Sequence, residues 1–116
     1  MLKQTATLDR VFQALADPSR RVMVERLTEG PASVSDLAQP FAMSLAAVLQ
    51  HVRVLETSGL VSSDKVGRTR VCRIEPQALL TAERWISERQ SIWEQRLDRL
   101  GAYLDDQSDE PNPRRK

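Results

Sequence analysis

Residues 33 to 59 carry the start and stop signals of two short helices, set so close together that they cannot belong to one element. Ser33 and Asp36 form an S-x-x-D capping box that fixes where the first helix begins. Val34, Leu37 and Ala38 give it an apolar face, and Pro40 bars continuation past Gln39. Ser44 caps a second start. Val48, Val52 and Leu55 then recur at spacings of four and three, so one stripe of that helix faces a core, and Gly59 closes it. Directly after comes a basic run, LVSSDKVGRTRVCRI, able to turn at Gly67, where positive φ is easily accommodated.

Two helices over residues 33–57 and a hairpin over 60–74 make a winged helix-turn-helix, in which the second helix enters the DNA major groove. The fold class expected is mostly α with a small β-hairpin wing (α+β). With Val48, Val52 and Leu55 turned inward, Leu45, Ala46, Leu49, Gln50 and Arg53 are offered to DNA. Gln50 suits a bidentate contact to adenine, Arg53 suits guanine or phosphate, and the apolar residues suit thymine methyls. His51, in the same helix, is expected to hydrogen-bond a phosphate or the neighbouring helix. The helix alone is equally an ordinary amphipathic helix with a solvated face; the hairpin shifts the balance. Residues 44–73 hold five basic side chains (Arg53, Lys65, Arg68, Arg70, Arg73) against two acidic ones (Glu56, Asp64), on a chain whose formal net charge is only +1. Charge placed in this way suits phosphate contact, with Lys65, Arg68 and Arg70 as the wing's candidates.

The segments ALADPSRR, SVSDLA and MSLAAVLQHVRVLETSGLV, followed by the Gly-Arg wing, resemble the ArsR/SmtB-type family of winged-helix repressors over roughly residues 8 to 76. That resemblance implies a homodimeric repressor that binds a short inverted repeat in double-stranded DNA and releases it on a signal. It carries over Ser44 as the cap, Gln50 and His51 within the second helix, and the wing around Gly67 and Arg68. Family members often have Gln-Pro-Ala after the cap and Ser at the position of Leu49. The more apolar face here, Leu45-Ala46-Ala47 with Leu49, therefore inherits no base preference.

Metal-responsive proteins of this kind carry paired cysteines on the first helix of the reading unit, or His, Asp and Glu clusters on the last helix. Zinc or arsenic needs three or four soft or imidazole ligands converging at fixed distance. The whole chain offers Cys72 and His51. No metal site and no cofactor is therefore expected. Cys72, on the outgoing wing strand, is expected to fill wing packing; the alternative is a thiol redox sensor pairing with its symmetry mate or a small thiol.

Ahead of the reading unit, Leu8, Val11, Phe12 and Leu15 mark an amphipathic helix over residues 8–15, and Asp17-Pro18 caps and begins another. Arg20 and Arg21 stand in its first turn, where cations oppose the helix dipole, and are expected to serve a structural ion pair or DNA phosphate. After the wing, residues 77–104 form a long helical pattern of about 40 Å. Ile86, Trp93, Leu97, Leu100 and Leu104 make its seam, which Trp85, Ile92 and Tyr103 broaden. So small a domain has little surface to cover this stripe, and a symmetric dimer is the economical answer. Its interface is expected to comprise Leu8, Val11, Phe12, Trp85, Ile86, Trp93, Leu97, Leu100 and Leu104, the tryptophans as anchors. An unidentified small-molecule inducer lodged beside Trp85 and Trp93 is the competing use of those rings.

Residues 1–104 are thus expected to form a single domain, and residues 105–116, which lack apolar side chains, a disordered tail. There is no membrane-spanning run or secretory h-region, which points to a cytoplasmic protein. The sole His lies in the reading helix, no Gly-rich phosphate loop is present, and the acids are scattered, so no enzyme is expected. Two other functions are compatible with the same residues. One is a winged-helix protein-interaction module, without DNA binding, that uses Leu45, Ala46 and Leu49. The other is the Cys72 redox sensor.

Overall fold

Three side-chain caps set the frame of the chain. Asp17 Oδ1 accepts from the Arg20 amide at 3.1 Å, Ser33 Oγ from the Asp36 amide at 3.0 Å, and Ser44 Oγ from the Ala47 amide at 3.1 Å. Each satisfies an amide that the first turn of a helix leaves without a partner. The computed structural model describes residues 2–108, with side chains described for 6–107. Its elements are α1 (Leu2–Leu15), α2 (Pro18–Thr28), β1 (Ala32–Ser33), α3 (Val34–Ala38), α4 (Leu45–Thr57), β2 (Val61–Val66), β3 (Thr69–Ile74) and α5 (Pro76–Ser108).

Both helices of the reading unit and the hairpin lie where the sequence puts them. Helix α4 ends in a Schellman motif: the Gly59 amide donates to the Glu56 carbonyl at 3.0 Å and the Leu60 amide to that of Leu55 at 3.1 Å. Gly59 takes φ +84 there, a conformation costly to any residue with a Cβ. The hairpin turns on Gly67 and Arg68 with positive φ (+62) at Gly67 alone, the pattern of a type II′ turn whose twist matches that of the strands.

Four features differ from expectation. Helix α1 begins at Leu2 rather than near residue 8. A two-residue strand, β1, precedes α3 and pairs antiparallel with β3, Ala32 opposite Cys72, so the wing is a three-stranded sheet of order β1-β3-β2. Helix α5 runs on to Ser108, making residues 105–108 helical instead of part of a tail; residues 109–116 lie outside the described residues. Val11, expected at a dimer seam, is fully buried in the chain's own core beside Ala14. On α1, Val11 and Ala14 point inward, while Leu8 is half-buried and Phe12 exposed.

Residues up to Ala82 form one compact unit and those from Glu83 a second. In the first, Met23 and Leu27 of α2, Leu37 of α3, Val48, Val52 and Leu55 of α4, Leu60 in the turn after α4, and Cys72 of the sheet are almost wholly buried. Each large side chain among them contributes about 1.5–3 kcal/mol by leaving water. In the second, Trp85, Ile86, Ile92, Trp93, Leu97, Leu100, Tyr103 and Leu104 are all exposed, from 39% to 60%. The Arg89 guanidinium stacks over the Trp85 ring at 4.5 Å. No helix among the described residues is long and apolar enough to cross a membrane.

Candidate nucleic-acid interface

Strand pairing decides which wing charges face the reading helix. Ser63 lies opposite Cys72, Lys65 opposite Arg70, and Asp64 opposite Val71. Because side chains alternate across a strand and paired residues share a face, Ser63, Lys65, Arg70 and Cys72 stand on the core side of the sheet. Asp64 and Arg73 stand on the other. There Arg73 hydrogen-bonds Asp64 and lies 3.7 Å from Glu75, which also accepts from the Ser62 hydroxyl at 2.6 Å. Asp64 beside Arg73 pushes the guanidinium pKa above its ordinary value. That outer cation is thus neutralised, and the wing's effective positive charge rests on Lys65, Arg68 and Arg70.

These three meet α4 across a cleft of about 380 Å³ lined by Val34, Ser35, Leu45, Leu49, Lys65, Arg68, Thr69 and Arg70. The floor is apolar and the wing side cationic. A relay ties the two elements: Arg70 Nη1 donates to Ser63 Oγ at 2.9 Å, and Ser63 donates to Glu56 Oε1 of α4 at 2.6 Å. Among the described residues, Arg53, Lys65 and Arg68 form no ion pair. Positive charge held beside a helix face and left unneutralised is what a phosphate backbone recruits.

Leu45, Ala46, Gln50 and Arg53 are exposed, and Leu49 is half-buried at the cleft. Arg53 shares an adjacent recess with Leu49, Glu56 and Arg70 rather than the main cleft. Ser44 is engaged as the cap of α4. His51 is not brought to this face. It lies half-buried on the other side of the buried stripe, its Nδ1 3.1 Å from Arg20 Nη1. That contact joins it to the neighbouring helix α2. Arg20 and Arg21, awkward at the start of α2, cap another helix: Arg20 donates to the Gln13 and Ala14 carbonyls and Arg21 to that of Leu15, at the end of α1. The Arg20 amide, hydrogen-bonded to Asp17, holds that carboxyl below the usual carboxylate range.

Sequence reasoning missed Ser35 and Thr69, which complete the cleft. Thr69 had a legible signal, as the residue two past Gly67 that must oppose Val66 in a two-residue turn. Ser35 had none, because its place depends on the angle between α3 and α4.

Among the described residues no group of three or more His, Cys, Asp or Glu is placed to hold an ion. His51 is committed to Arg20 and Cys72 is buried in the sheet. Burial pushes the Cys72 thiol up, and Glu56 adds to the effect while Arg70 opposes it. A raised thiol holds less of the reactive thiolate.

The fold and this interface define a winged helix-turn-helix protein. Residues 15–64 match a helix-turn-helix domain family. The HTH-type transcriptional regulator Rv2034 of Mycobacterium tuberculosis is 36% identical over 102 residues, covering 88% of this chain and 92% of that protein. A crystal structure of an ArsR family transcriptional regulator shares 46% identity at a TM-score of 0.74, covering 78% of this chain and 93% of its own. The homodimeric winged helix-turn-helix DNA-binding domain of Mb0332 from Mycobacterium bovis shares 26% identity at a TM-score of 0.57, with 84% and 85% covered. The chain belongs to the ArsR family of transcriptional regulators, which are not enzymes.

Proposed function

We propose that the protein is a sequence-specific double-stranded-DNA-binding repressor that acts as a homodimer on an inverted repeat. The observation that carries this reading is the cleft in which the exposed face of α4 meets Lys65, Arg68 and Arg70, which form no ion pair among the described residues. Leu45, Ala46, Leu49, Gln50 and Arg53 read base edges, and the wing holds phosphate. A dimer is supported by the apolar stripe of α5 from Trp85 to Leu104, too large to remain in water on a monomer, and by the homodimeric state of the Mb0332 domain. Leu8 and Phe12 of α1 are further apolar side chains offered to a partner chain. The described residues supply no ligand set for a metal signal, and Cys72 is poorly placed for a thiol switch.

The test is titration of the purified protein against the DNA upstream of its own gene and against random duplex. Specific binding, weakened by salt, is expected for the upstream DNA. Equal, salt-insensitive affinity for both duplexes would overturn the reading. In that case, unchanged nucleic-acid retention after Arg53→Ala and Arg68→Ala would favour a protein-interaction module.

A further inference from the structure

Helix α4 is braced on both flanks of its buried stripe. On the side of Leu45 and Leu49, Glu56 reaches the wing through Ser63 and Arg70. On the opposite side, His51 meets Arg20, whose side chain is only 16% exposed and whose guanidinium nitrogens are all engaged. Arg20 Nε donates to the Ala14 carbonyl at 2.8 Å and Nη2 to that of Gln13 at 3.2 Å. Nη1 lies 3.1 Å from His51 Nδ1 and 3.9 Å from the Asp17 carboxylate. One side chain therefore ties the end of α1 and the start of α2 to the middle of α4.

We propose that Arg20 is a positioning residue for DNA reading: it fixes the rotation of α4 through His51, and His51 serves as the receiver of that contact rather than as a reader of DNA. The proposal rests on α4 being the DNA-reading helix. A guanidinium has donors only, so the nitrogen facing it must offer a lone pair. In this arrangement Nδ1 of His51 accepts from Arg20 and Nε2 carries the ring proton. A helix held from both flanks cannot roll about its axis. A roll of one residue, about 100°, would carry Gln50 and Arg53 off any base edge they contact. Loss of the brace costs orientation first, before the core that Val48, Val52 and Leu55 make.

Two isosteric substitutions separate the roles of the two ring nitrogens. In His51→Asn the side-chain oxygen occupies the place of Nδ1 and keeps Arg20 supplied with an acceptor. In His51→Gln the amide occupies the place of Nε2 and leaves Arg20 without one. Affinity for upstream DNA is expected to stay within about threefold of the parent in His51→Asn and to fall on the order of tenfold in His51→Gln, as for loss of a charge-assisted hydrogen bond. The reverse order would mean that His51 touches DNA itself and would overturn the proposal.

A second reading needs no DNA. His51 is the chain's single histidine, so the imidazole ¹⁵N spectrum of the 116-residue chain at about pH 8 has one assignment. The spectrum is expected to be that of the Nε2–H tautomer, converting to a tautomer mixture in Arg20→Lys and Arg20→Ala. An Nδ1–H tautomer in the parent, or a spectrum unmoved by both substitutions, overturns the brace. Should the parent protein fail to prefer upstream DNA, the proposed function falls while this spectrum still decides the Arg20 contact.

Discussion

Removing Lys65 and Arg68 together tests the charge bookkeeping of the wing. Both are exposed and neither forms an ion pair among the described residues, whereas Arg73 on the outer face is held by Asp64 and Glu75. If each free cation neutralises one phosphate, a dimer loses four phosphate contacts in Lys65→Ala/Arg68→Ala. The slope of log affinity against log salt should then become shallower by about 3.6. Over a fourfold change in salt that is roughly a hundredfold difference in salt sensitivity. Fluorescence anisotropy with labelled duplex at four or more salt concentrations reads the slope directly. Arg73→Gln is the control: it also removes one positive charge per chain, yet its slope should shift by less than about one. A slope change for Arg73→Gln of about 1.8, half that of the double variant, would mean that only net charge matters, and the face-by-face assignment of the wing would be wrong.

Leu97→Glu and Leu100→Glu place charges in the apolar stripe of α5; sedimentation should show monomers with much reduced DNA affinity, and an intact dimer would remove α5 from the interface. Asp17 has a depressed pKa in the folded protein, so its contribution is present above the ordinary carboxylate range, near about 4, and is lost as pH falls through the folded value. Asp17→Asn, which retains a capping oxygen, should flatten the acid limb of stability by no more than about 1 kcal/mol, and an unchanged limb in denaturant melts would refute the assignment. Cys72 should react with N-ethylmaleimide only as the protein unfolds, because it is buried and its thiol is pushed up; rapid native-state modification accompanied by DNA release would revive the redox sensor.

Much of the reading unit was legible because its signals are local. Caps at Ser33 and Ser44, the stop at Gly59 and the turn at Gly67 act within a few residues, and the structure has each of them in place. What was not legible depends on contacts distant in sequence. Ala32 and Ser33 become a strand only because β3 lies alongside them. His51 looks like a DNA contact by its place in the helix, yet a partner 31 residues away claims it. Val11 carries the same apolar signal as Leu8 and Phe12, and only the packing of α1 against α2 and α4 decides that it belongs to the core. The Arg73 charge was likewise counted with the others until the register set it opposite Ser62, on the face away from α4.

Hydroxyl-radical footprinting of the protein on its upstream DNA tests the central claim most directly. Two reading helices with flanking wings predict paired protections related by a two-fold axis, about 10 base pairs apart or a multiple of that spacing, with wing protections on the outer sides. An asymmetric footprint from a single reading head, or uniform cleavage at concentrations that saturate retention, would contradict it.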